Sequence, residues 1–335
     1  MALAEKLKMA RTLAGLSQQT LADKVGVSKM SISKYENDRA VPGSAVLLAL
    51  ATALEKPTSF FFGSAVREVS AVRYRCKRAI SRPERRRAQA QAQDWIGRYF
   101  DVQSLAGDPL AFVPPAIDTS IRVPEDVESA AEGIRDVWQL GQDPIDSLVN
   151  CLEDHGIPVG LIEGDDSVDA LSFYLDGQPF VTLKRGIPGD RQRFSLAHEL
   201  GHILLEVSQA LDAESVINRF AGALLVPEHS VFRELGAHRR SLSIEELEIL
   251  KLKHGLSMLG WVHRAEDLRI ISAGCARDIR KRFTRQGWNL VEPGRQVPSE
   301  EPTAMVRAVY RALAEGIITR SRAMELLGEP LATIA

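Results

Sequence analysis

The spacing of apolar positions changes along the chain. From Leu3 to Phe62 they recur three and four residues apart in short runs broken by turn residues, which predicts a string of five short helices. Leu3, Leu7, Ala10 and Leu13 form the first stripe, and Gly15 ends it. Ser17 stands where an N-cap belongs, ahead of Leu21, Ala22 and Val25, and Gly26 stops that helix. Ser28 caps a third helix with Ile32 and Tyr35 inward. A fourth covers Val46 to Leu54, and Pro57 opens a short fifth ending in Phe60–Phe62.

Residues 64–98 are poor in apolar positions and rich in helix formers, so they read as an exposed helix or helical linker. Pro109, Pro114, Pro115 and Pro124 then make 107–127 a Pro-rich joint and the best domain boundary. Helical spacing returns over 128–153. After Gly156 the period drops to two. Ile157–Ile162, Asp169–Leu175 and Pro179–Leu183 read as strands, the last two joined by a hairpin turn at Asp176–Gly177. A helix then opens at Gly189–Asp190 and runs to Leu205, and another starts near Ala213 and stops at Pro227. Helical and short apolar segments alternate over 243–273, and a final helical pair lies near 303–315 and 319–327. The fold class is mainly α with a small α+β domain. The expected division is a helical domain at 1–65, a basic helical and Pro-rich linker at 66–127, the α+β domain at 128–265 and a C-terminal helical region at 266–335.

Composition changes this picture in one respect. With 335 residues, 45% hydrophobic and 26% charged, the chain is ordinary for a globular protein, which excludes wholesale disorder and collagen. The formal net charge is −2, but it is unevenly spread. Residues 1–98 hold 18 basic and 8 acidic side chains; the remainder holds 24 and 36. The basic part fits a polyanionic partner, and the rest fits other work. The three cysteines, Cys76, Cys151 and Cys275, are scattered and read as reduced thiols. With no signal-peptide pattern and no run of 18 apolar residues, the expected location is cytoplasmic, away from membranes.

The second and third helices, joined at Gly26, have the size and punctuation of a helix-turn-helix. The outer face of the third offers Lys29, Met30, Ser31, Ser33 and Lys34, polar and cationic groups that suit base edges and phosphates. The run GLSQQTLADKVGVSKMSISKYENDRAVP resembles the XRE (Cro/C1-type) family of regulators. The resemblance implies binding to a double-stranded DNA operator, with Gln18 meeting backbone and base and with Lys29, Met30 and Lys34 at base-reading positions. It also implies a pair between Arg11 and Glu36. Met30 departs from the usual polar residue. Such modules read paired half-sites, so a homodimer is expected.

The second motif is His198–Glu199–Leu200–Gly201–His202, an HExxH. Residues four apart on a helix lie nearly above one another, so His198 and His202 can present two imidazoles to one ion. Glu199 lies on the adjoining edge, placed to take a proton from an attacking water. Phe194, Ala197, Gly201, Leu204 and Leu205 make the opposite face apolar, and the upstream hairpin is expected to supply a substrate-binding edge. A third ligand is needed. Leu205 and Ser208 stand where a metzincin has Gly and His, which excludes that class. Spacing leaves Glu214, Asp212, Glu206 and His229 as candidates, with Glu214 favoured. The oxyanion donor stays open between Tyr174 and Arg185, and the other histidines read as structural or surface residues.

FSLAHELGHILL followed by ESVINRFAGALLVP resembles the ImmA/IrrE family of zinc metallopeptidases, with Ile217 in place of the usual Ala. The resemblance implies a zincin-like α+β domain, Zn2+ as cofactor, Glu214 as third ligand, Glu199 as general base, and a repressor-type regulator as protein substrate. Two functions follow as expectations. One is a DNA-binding regulator carrying a zinc endopeptidase. The other is a non-catalytic transcription factor or antitoxin-like regulator whose zinc domain is a sensor or dimerisation scaffold.

Overall fold

A computed structural model describes residues 2–62, 69–76, 80–107, 110–163 and 168–331. The N-terminal stripes form α1 (Ala2–Leu13), α2 (Gln18–Val25), α3 (Lys29–Glu36) and α4 (Ser44–Ala53). The expected fifth helix is a 3-10 turn at Thr58–Phe62, a run too short for an α-helical ladder. Ser17 Oγ accepts from the Thr20 N–H and Ser28 Oγ from the Ser31 N–H. Between them Gly26 takes the left-handed conformation, φ 76°, that turns the chain from α2 into α3. Leu7, Leu21, Ile32, Leu50 and Phe61 close a small core inside this module.

The stretch expected as an exposed helix or helical linker splits in two. Ser70–Cys76 is a strand, β1, and α5 (Arg82–Ala106) follows it, opened by a Ser81–Glu84 capping box. The strand wins because Val72 and Tyr74 alternate with Arg73 and Arg75, and a neighbouring strand supplies the backbone partners. The expected boundary between residues 65 and 66, and Pro109 of the joint, lie outside the described residues.

Next come β2 (Ser120–Ile121), α6 (Asp126–Val137), α7 (Leu148–Asp154), β3 (Val159–Ile162), β4 (Val168–Leu175), β5 (Gln178–Lys184), α8 (Gly189–Leu204), β6 (Glu206–Val207) and α9 (Ala213–Leu225). The chain ends with α10 (Glu228–Leu235), α11 (Ile244–His254), α12 (Met258–Asp267), α13 (Ala273–Gln286), α14 (Ala304–Ala314) and α15 (Arg320–Leu327). The main sheet has the order β1-β4-β5-β3, antiparallel except where β3 pairs with β5. The β4–β5 hairpin, expected to present a substrate edge, therefore lies in the sheet interior, covered by β1 and β3.

Both faces of the sheet are buried. Ala170, Val181 and Leu183 point into one core with α6, α8, α9 and α12, while Leu171, Phe173 and Phe180 point into a second. That second core holds Trp95, Ile96 and Tyr99 of α5 with Val309 and Leu326 of α14 and α15. The Pro-rich joint is anchored, since β2 pairs with β6 and the Phe112 N–H donates to Gln178. The C-terminal helices are shared between the two cores, and residues 297–300 cross the start of α8 through Gly189 and Gln192. The N-terminal module rests on α5 through α1, where Lys6 is buried, and Ser59 reaches Glu325 at 3.1 Å. No described helix is long and apolar enough to cross a membrane.

Candidate metal site and recognition helix

Helix α8 carries His198, Glu199 and His202, and its pitch sets the two imidazole centroids 4.8 Å apart. Helix α9 packs against it closely at Gly201. A Cβ there would stand 2.9 Å from Phe220 and 3.0 Å from Ile217, so the glycine sets how near the helices come and makes room for the bulkier Ile217. That approach brings Glu214, in the first turn of α9, over both rings. Its carboxylate oxygens lie 3.5 Å from His198 Nε2 and 3.4 Å from His202 Nε2. The three ligand atoms fall within 4.8 Å of one another. Among the described residues, Asp212, Glu206 and His229 stand outside this group.

Asn218, one turn after Glu214, places Oδ1 3.0 Å from His198 Nδ1. With Nδ1–H donating there, Nε2 keeps its lone pair for a ligand. Burial lowers the His198 pKa to about 3, with Arg75 and His202 adding to the effect. Burial, then Arg73 and Arg75, lowers that of His202 to about 4. Both rings are neutral imidazoles at neutral pH, the form that donates to a metal. Glu199 is almost fully buried. Burial pushes its pKa up to about 7, against the opposing pull of Ser172, Arg75 and Arg73. Ser172 Oγ, on the adjoining face of β4, donates to Glu199 Oε2 at 2.5 Å.

These groups line a cleft of about 650 Å³ whose far wall is β1. Arg73 donates to the His202 carbonyl at 2.7 Å. The Arg75 guanidinium sits 5.0 Å from the Phe194 ring centroid and 3.5 Å from Asn218 Oδ1. Asp169 and Arg191 form an ion pair in the same cleft. A second groove, about 860 Å³, continues from Phe194, Glu214 and Asn218 toward Leu259 and His263. Tyr174 and Arg185 do not line the cleft; Arg185 reaches Glu163, Glu301 and Glu329 instead. His155 stacks on Trp138, and His254 bonds Glu234.

At the other end of the molecule, α3 presents Lys29, Met30 and Lys34 to solvent, with Met30 67% exposed. Ser31 is half-buried, its hydroxyl 2.9 Å from that of Ser28. Arg11 donates twice to Glu36, at 2.5 and 3.0 Å, forming the pair between α1 and α3 that the resemblance implied. Gln18 also donates to Glu36, at 2.8 Å, so its amide is held at the foot of α3.

Sequence reasoning missed Arg73, Arg75, Ser172 and Asn218. The alternation in Val72-Arg73-Tyr74-Arg75 is a strand signal inside a stretch whose other residues are helix formers. Asn218 was legible as the residue one turn beyond the favoured Glu214.

A family model described as Helix-turn-helix matches residues 7–61. A peptidase-family model described as IrrE N-terminal-like domain matches residues 152–259. None of the curated proteins compared with the chain matches it. The two matched segments coincide with the α1–α4 module and with the strands and helices that carry His198, His202 and Glu214, so the chain joins a segment similar to XRE-type helix-turn-helix domains with a segment similar to IrrE/ImmA-like peptidase domains.

Proposed function

We propose that this protein is a DNA-binding transcriptional regulator whose second part is a zinc-dependent endopeptidase acting on a repressor-type regulator. The observation that carries this reading is the convergence of His198 Nε2, His202 Nε2 and the Glu214 carboxylate beside the buried Glu199. Two neutral imidazoles and one carboxylate are a donor set that fits zinc, and they would hold it. When bound there, zinc supplies a Lewis acid that polarises the scissile carbonyl and activates water at neutral pH.

The remaining work belongs to the chain's own residues. Glu199, held by Ser172, takes the proton from the attacking water and returns it to the leaving amine. Asn218 fixes the ring of His198 so that Nε2 faces inward. The cleft and the adjoining groove receive the peptide on either side of the scissile bond. Glu214 is 65% exposed at its side chain, so the ligand group opens onto solvent, which supports a catalytic site over a closed structural one. On the DNA side, Lys29, Met30, Ser31 and Lys34 of α3, with Gln18 of α2, form the operator-facing surface, and a homodimer would read paired half-sites.

The test is direct. The zinc-loaded full chain is incubated with regulators encoded beside its gene, with Glu199→Gln run in parallel. A specific fragment from the wild type alone is expected. Identical fragmentation by Glu199→Gln, or no cleavage of any such regulator, would overturn the reading.

A further inference from the structure

The cleft holds more positive charge than a metal site calls for. Glu199 and Glu214 together balance a divalent cation. Asp169, the other carboxylate on the cleft wall, is taken by Arg191. Arg73 and Arg75 remain. One donates to a backbone carbonyl and the other to an amide oxygen, and among the described residues neither makes an ion pair within 4.0 Å.

Their placement is specific. Arg73 lies opposite Ser172 and Arg75 opposite Ala170 in the β1–β4 register. Residues two apart on a strand share a side, so both guanidinium groups flank the strand segment that anchors Glu199. Arg75 is half-buried, and burial works against its charged form while Glu199 and Asp169 partly offset that. A guanidinium is a planar fork of donors that matches a carboxylate in two parallel bonds. A cation without an ion-pair partner in a partly desolvated cleft is favoured once an anion arrives.

We propose that Arg73 and Arg75 form a carboxylate-binding subsite, so that the cleft selects peptide segments bearing an Asp or Glu side chain next to the scissile bond. This rests on the peptidase reading and names its substrate class.

The experiment separates the two. Zinc-loaded Glu199→Gln full chain is titrated with a fluorescent peptide library carrying one central Asp or Glu among apolar residues. A matched library carries Asn or Gln there. Binding of the acidic library is expected to be about tenfold tighter at low salt, or about 1.4 kcal/mol. Adding Arg73→Gln and Arg75→Gln to that background should bring the two libraries within about twofold, with zinc content retained. Arg73 is exposed, so Arg73→Gln alone gives an arm that leaves packing intact, and Arg73→Lys should restore part of the preference. Equal affinity for the two libraries, or a preference that survives both substitutions with zinc bound, would overturn the proposal. Wild-type turnover of the same peptides reads the peptidase function independently: acid-selective binding without cleavage upholds the subsite and sinks the peptidase.

Discussion

The helix-turn-helix module and the candidate metal cleft are built on opposite principles. The first draws its core from Leu7 to Phe61, one contiguous run in which α2 packs on both α3 and α4 and α1 reaches across to α3 and the 3-10 turn. The second joins groups far apart in the chain: Arg73 bonds the His202 carbonyl across 129 residues, and Arg75 bonds Asn218 across 143. A module closed within one short run carries its own punctuation in the sequence. A cleft walled by an edge strand does not, because that wall exists only once β1 has paired with β4.

Structural charge shows the same division and supports the largest expected effect. Glu128 of α6 accepts from Arg264 of α12 twice at 2.8 Å and from Arg219 of α9 at 3.2 Å. Arg264 is 1% exposed, so Glu128→Ala would leave a buried cation without its counter-charge and cost about 3–5 kcal/mol. The expected result in a thermal melt is a large loss in the peptidase part, while operator binding at low temperature persists. A single transition lowered for both parts would show that the α1–α5 contact couples them. The pH dependence has a definite sign. Burial raises the Glu128 carboxyl, but Arg264 and Arg219 outweigh it and hold its pKa below the ordinary carboxylate value. Its contribution is therefore complete above about pH 4.5 and lost as pH falls through the lower folded value.

What could be read in advance follows these contact lengths. Ser17, Gly26 and Ser28 act on backbone groups within a few residues, and each does in the structure what its type and position implied. His198 and His202 were legible because helical pitch alone aligns them. Glu214 was only one of four candidates by spacing. What places it is the angle and closeness of α9 on α8, set by Gly201 against Ile217 and Phe220, which no local rule predicts. Arg73 and Arg75 are hidden in the sequence because the Arg, Ala and Gln around them favour helix. The pairing partner that makes 70–76 a strand lies nearly a hundred residues downstream.

Asn218 tests whether that second kind of contact matters to the metal. Losing the acceptor for His198 Nδ1 frees the ring to rotate and removes its preferred tautomer. Asn218→Ala should weaken zinc affinity about 10- to 100-fold in a chelator competition titration. Asn218→Asp keeps an acceptor and should retain affinity. If both variants bind zinc as the wild type does, the packing of α8 alone orients the ring.

The smallest effect probes the local module. Lys34 is exposed near the end of α3, and Ala is the best helix former, so Lys34→Ala removes one cation with little cost to the fold. A lysine that neutralises a phosphate releases about one counterion, so the slope of log Kobs against log salt should become shallower by about 0.9. The affinity loss should then be similar for operator and non-operator DNA. A loss confined to the operator would instead assign Lys34 to a base edge. Either result should leave zinc affinity and peptide binding in the cleft unchanged, because the two surfaces share no side chain. A change in peptide affinity caused by Lys34→Ala would require a path through α1 and α5, the contact that joins the module to the sheet, and would make the DNA surface a regulator of the cleft.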